Sequence, residues 1–150
     1  MNANQLEEIP IEDYICLALY SASRAVTGVY RDLLDELGLT YPQYLVMRAL
    51  WQRGPLSVKA IAEILQLDYG TLSPLLKRLE AAELIKRTRS TQDERQVLIA
   101  LTSRGQALRE KTRAVPQAIL AASACSVTEL VDIKDELVAL RNRLNATLGE

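Results

Sequence analysis

The chain of 150 residues contains no histidine and only two cysteines, Cys16 and Cys125, far apart in sequence. Without histidine there is no histidine-dependent catalytic triad, and two distant cysteines do not make a zinc motif, so no metal is expected. The six glycines are scattered singly, which excludes a glycine-rich phosphate loop. No apolar run approaches membrane-spanning length, and no membrane association is expected. Met1 to Pro10 is polar and acidic, unlike a secretory leader. These absences remove most enzyme machinery, call for no cofactor, and lead to the expectation of a cytoplasmic protein.

What is present is ordinary for a single globular domain: 49% hydrophobic and 25% charged residues with a formal net charge of −1. The distribution of that charge is more informative than its sum. Between Gly70 and Arg104 stand seven basic residues (Lys77, Arg78, Lys86, Arg87, Arg89, Arg95, Arg104) against four acids (Glu80, Glu83, Asp93, Glu94). A segment of +3 on an otherwise acidic chain suits contact with phosphates.

Apolar residues recur at helical spacing from Glu12 to Leu37, with Gly38 as a stop. Further apolar positions off that stripe (Leu17, Ala18, Leu34) give this helix more than one face to bury, which suggests a partner subunit. Thr40 and Pro42 open a second helix that ends at Gly54-Pro55. Ser57 caps a third through Leu65, and a fourth runs from about 69 to 82, which is helix-turn-helix spacing. Strand-like stretches Leu84–Arg89 and Gln96–Leu101 flank a polar connection and read as a hairpin. Thr102 caps a helix expected to continue through Leu108, Val115 and Leu120, and an amphipathic helix follows Ser126. The fold class is therefore mainly α with a small β-hairpin wing: a winged helix-turn-helix over about 51–102 within a single domain of 1–150. Helices at about 11–50 and 103–150, from both ends of the chain, would form the interface of a homodimer.

The stretch Leu67 to Glu80 (LDYGTLSPLLKRLE), with Arg89-Ser90 and Asp93-Glu94-Arg95, resembles the recognition helix and wing of the MarR family. Cys16 to Arg24 and Leu33 through Leu45 resemble its organic hydroperoxide resistance regulators, and the cysteine-plus-tyrosine pattern is the more specific of the two. The resemblance implies a homodimeric repressor that binds a palindromic operator in double-stranded DNA and responds to organic hydroperoxides. Two positions depart from the pattern. Tyr69 replaces a small polar residue, a change bearing on operator contacts, and Glu83 replaces a common glycine, a change expected to be harmless.

In such a fold the N-terminal residues of the recognition helix lie nearest the base edges. Gly70, Thr71 and Ser73 are then candidates for groove or phosphate contact, Pro74 for a thymine methyl, and Lys77 and Arg78 for bases or phosphates. Lys77 and Arg78 could equally solvate a helix face. By resemblance, Asp93 steadies the hairpin by bonding Arg95, and Arg95 enters the minor groove; the plainer reading is a surface ion pair. Lys59, Arg87 and Arg89 are expected on phosphates.

Cys16 is the candidate redox sensor. A buried cysteine is usually a small hydrophobe, but Tyr20 lies one turn onward on the same face. Tyr30 stands roughly 21 Å further along the same helix, too far to reach Cys16 in its own chain. In a dimer with crossing first helices, the partner's Tyr30 and Tyr41 could reach the sulfur and donate hydrogen bonds to a thiolate. Cys16 is expected past the first helical turn, where the helix dipole helps little. By resemblance to the two-cysteine branch, Cys125 would trap oxidised Cys16 of the other subunit as a disulfide; otherwise a small thiol would do so. The competing functions are a MarR-type regulator released by a small phenolic ligand, a thiol peroxidase, and a winged scaffold for protein contacts. The lack of arginine or histidine close to Cys16 in sequence speaks against the peroxidase.

Overall fold

The computed structural model describes residues 8–149. Among them are seven α-helices, α1 (Ile15–Leu34), α2 (Tyr41–Arg53), α3 (Val58–Leu65), α4 (Tyr69–Ala81), α5 (Ser103–Lys111), α6 (Val115–Ser123) and α7 (Val127–Leu148). The strands are β1 (Leu56–Ser57), β2 (Ile85–Arg89) and β3 (Val97–Leu101). The chain falls into two compact units, one ending at Arg113 and the other beginning at Ala114. The first holds α1 to α5 and the sheet; the second holds α6 and α7.

Short polar side chains decide where most helices begin. The hydroxyls of Thr40, Ser57, Thr102 and Ser126 and the carboxylate of Asp68 each accept from a backbone N–H of the first turn. Thr40 with Gln43 and Ser126 with Glu129 complete reciprocal capping boxes. The starts expected at Thr40, Ser57, Thr102 and Ser126 are all found.

Two long helices expected from periodicity are interrupted. The span 12–37 is a helix only from Ile15 to Leu34, with 3-10 turns at Ile11–Asp13 and Asp35–Leu37. Extended backbone at Tyr14 breaks it at one end, and Gly38 in the left-handed region stops it at the other. The helix expected from Thr102 through Leu120 is broken after Lys111, and a new one starts at Val115 with Pro116 in its first turn. Proline lacks the N–H that a continuous helix needs, and a first turn tolerates that loss.

The core of the first unit forms where α2, α3 and α4 converge on the sheet. Met47 and Leu50 of α2, Ile61 of α3, Leu72, Leu76 and Leu79 of α4, and Ile99 of β3 are almost fully buried. The sheet has the order β1-β3-β2, antiparallel throughout. Ile85 pairs with Leu101 and Arg89 with Val97, while the two-residue β1, which periodicity did not reveal, pairs Leu56 with Ile99.

Gly105 ties α5 to this core. A Cβ built there would lie 2.0 Å from the Leu84 carbonyl oxygen, so only glycine permits the approach. The Trp51 indole N–H donates to the Gly105 carbonyl at 2.9 Å inside the core. The Thr102 backbone N–H donates to the Leu84 carbonyl and its hydroxyl to the Glu83 carbonyl. The junction between recognition helix and wing is thus anchored from both sides.

Candidate functional site

Helix α4 presents two faces. Leu72, Leu75, Leu76 and Leu79 point into the core, leaving Gly70, Thr71, Ser73, Pro74, Lys77 and Arg78 exposed. All six residues expected to meet DNA from this helix therefore lie on its open side. The Thr71 hydroxyl is already engaged, donating to Asp68 Oδ2 at 2.9 Å while its backbone N–H donates to Oδ1 at 2.7 Å. Those bonds hold the Asp68 carboxyl below the ordinary aspartate range, so the helix tip carries a fixed negative charge.

The wing is a five-residue pairing closed by a structured loop. The Ser90 N–H donates to the Gln96 carbonyl, and the Ser90 Oγ, on a residue only 9% exposed, accepts from the amides of Gln92 and Asp93. Asp93 Oδ1 accepts from the Arg95 backbone N–H at 3.0 Å. Asp93 thus bonds Arg95 through the main chain, and the Arg95 side chain is exposed at the tip. Ser90 belongs to the stretch that resembles the wing, but its part in holding the loop carries no sequence signal, because a serine in a polar loop gives none until its burial is known.

The other basic residues are partly engaged. Arg87 on β2 pairs with Glu80 of α4 at 3.4 Å, linking wing to recognition helix, and Lys59 pairs with Glu63 at 3.9 Å. Arg89 and Lys86 are exposed on β2. A phosphate at Arg87 or Lys59 would compete with these carboxylates.

At the other end of the first unit, Cys16 is exposed and occupies the second position of α1. This corrects the expectation that it lies beyond the first turn: the extended backbone at Tyr14 moves the helix start to Ile15. The N-cap Tyr14 supplies no capping side-chain bond. At a helix N-terminus the backbone dipole favours negative charge. Tyr20, one turn on, is 62% exposed, and the Arg24 guanidinium lies over its ring at 5.6 Å from the centroid. Ile15, Leu17 and Val26 are exposed on the same helix.

Tyr30 lies on the same helix as Cys16, as expected, and stacks on Tyr41 with ring centroids 4.3 Å apart. Tyr44, within the resembling stretch but not among the expected thiolate-stabilising tyrosines, is buried beside them at 5.7 Å from Tyr30 and edge-on to Trp51. Burial raises the phenols of Tyr30, Tyr41 and Tyr44 above their ordinary value, so all three stay protonated hydrogen-bond donors. Cys125 belongs to the second unit, between α6 and α7, where its thiol donates to the Ser123 carbonyl at 3.3 Å.

No group of histidine, cysteine, aspartate and glutamate side chains among the described residues could hold a metal ion. No single helix among them is long and apolar enough to cross a membrane.

Residues 28–112 match the family model of the transcriptional regulators SarA/Rot. The chain is 44% identical over 142 residues to the organic hydroperoxide resistance transcriptional regulator of Bacillus subtilis (strain 168), covering 95% of this chain and 97% of that one. Among solved structures it is similar to reduced AbfR bound to DNA, with a TM-score of 0.74 at 35% identity over 93% of this chain and 98% of that one. It is also similar to disulfide-formed AbfR, with a TM-score of 0.60 at 33% identity and the same coverage. With a helix-turn-helix, a wing and these relatives, the chain belongs to the MarR-type winged-helix DNA-binding transcriptional regulators, in the organic hydroperoxide resistance group.

Proposed function

We propose that the protein is a homodimeric cytoplasmic repressor that releases a palindromic operator when an organic hydroperoxide oxidises Cys16. The observation that carries this reading is an exposed thiol in the first turn of α1, amid exposed apolar side chains. Such a place admits an alkyl peroxide.

The chemistry is stoichiometric. The Cys16 thiolate attacks one peroxide oxygen, the O–O bond breaks, and the alkoxide leaves as the alcohol after taking a proton, leaving a sulfenic acid. The Cys125 thiol of the second subunit then attacks that sulfur, forming a disulfide and releasing water. Protonated phenols at Tyr30 and Tyr41 of the partner, with Tyr20 of the same helix, would hold the thiolate by donating to it. A relative at 33–36% identity has solved structures both reduced on DNA and disulfide-formed, which supports a redox switch on this fold. The exposed apolar positions of α1 and α7 support a second copy as the partner. Disulfide formation would displace the two recognition helices from the one-turn spacing that an operator demands. The role is that of a sensor, with no turnover of peroxide.

The test is a mobility shift on DNA upstream of the protein's own gene, with and without cumene hydroperoxide, followed by non-reducing electrophoresis. Cys16→Ser should bind like the wild type and stay bound in peroxide. Continued release by that variant would refute the switch. A crosslinked dimer that vanishes in Cys125→Ser would identify the resolving thiol, and steady peroxide consumption with a reductant would instead indicate an enzyme.

A further inference from the structure

The recognition helix begins with a large side chain where the MarR pattern has a small polar one. Tyr69 is the first residue of α4 and is 55% exposed. Among the described residues its ring stacks on no other, and no hydrogen bond holds its hydroxyl. It shares a face with Ser73 and Lys77, one and two turns on, all exposed and opposite the buried leucines. An aromatic side chain standing free at this end of a helix that enters the major groove faces the base edges.

We infer that Tyr69 is a base-reading residue that packs its ring on a thymine methyl group in each operator half-site, and so sets operator choice. This rests on the reading of α4 as the groove-entering helix. The helix tip favours a base edge over a phosphate for a specific reason. The first-turn bond to Thr71 is taken by Asp68, whose ionised carboxylate sits beside Tyr69 and repels an approaching phosphate. Gly70 keeps this tip narrow: a Cβ there would stand 3.1 Å from Asp68 Oδ1. What the tip offers beside that charge is the flat apolar face of a phenol. The thymine C5 methyl is the apolar group in the major groove that matches it.

The experiment is selection from a library of random-sequence duplexes with wild type, Tyr69→Phe and Tyr69→Ser, followed by affinity measurements on the selected site. Wild type and Tyr69→Phe should select the same palindrome, with a symmetric pair of thymines that Tyr69→Ser no longer selects. Replacing those thymines by deoxyuridine, which removes only the methyl, should weaken wild type and Tyr69→Phe roughly three- to ten-fold and leave Tyr69→Ser unchanged. Equal losses for wild type and Tyr69→Ser would overturn the inference, as would an unchanged consensus in Tyr69→Ser. A Lys77→Ala, Arg78→Ala variant separates the underlying reading. If it binds the selected duplex as tightly as wild type, the groove-entry reading of α4 itself has failed, and the inference with it.

Discussion

At the scale of single residues, backbone conformation explains what composition leaves unexplained. Glu83, at the end of the recognition helix, has φ +58, in the region that costs residues with a Cβ and suits glycine. The substitution of glutamate for the usual glycine is therefore a small strain and not a neutral change; its exposed pairing with Arg104 at 3.8 Å repays little. Glu83→Gly should stabilise the fold by about 1 kcal/mol, roughly 3 °C in Tm, measured by thermal unfolding with duplex affinity unchanged. Gly105→Ala should do the opposite. The added methyl meets the Leu84 carbonyl, and relief requires moving the recognition helix–wing junction or the Trp51 anchor. A loss of about 3 kcal/mol in urea unfolding is expected. Neither effect could be read from the glycine pattern alone, since a glycine needed for φ and one needed for space look identical in sequence.

Single elements depend on their ends. The Asp68 cap starts α4, and its bonds to Thr71 hold the carboxyl below the ordinary aspartate range. A folded-state value lowered in this way contributes stability that is fully present above the unfolded value and is lost as pH falls through the folded value. Acidification below the ordinary aspartate range should therefore loosen the start of the recognition helix. Asn caps as well as Asp without titrating. The fall in Tm of wild type across that acidic window should be shallower in Asp68→Asn, and equal slopes would show that the cap does not matter there. Glu129, in the capping box of α7, has the same direction of shift and contributes to the wild-type slope. The starts at Thr40, Ser57, Thr102 and Ser126 are legible in the sequence because serine and threonine act locally, on the amides two or three residues ahead. The breaks at Tyr14 and after Lys111 are not, because apolar periodicity runs straight through both.

For the whole molecule, the proposed dimer leaves its mark on α7. Ile133 and Leu137 are exposed, and with Leu130, Lys134, Val138 and Arg141 they line an open groove of about 290 Å³ along this one helix. Leu137→Glu should shift the protein from dimer to monomer by light scattering and weaken duplex binding in parallel, since one half-site is then lost. A dimer of unchanged stability would remove α7 from the interface. The amino-acid sequence by itself determined the helix starts at Thr40, Ser57, Thr102 and Ser126, the winged pattern, the exposed face of α4 and the conspicuous cysteine, because each depends on neighbours within a turn or a hairpin. Only the tertiary structure decided that Cys16 lies in a first turn, that Tyr30, Tyr41 and Tyr44 form one cluster, that Ser90 holds the wing loop and that Asp93 reaches Arg95 through its backbone. The tyrosine cluster depends on contacts between α1 and α2, and the others on burial and on the local backbone path at Tyr14 and in the wing loop, none of which apolar spacing encodes.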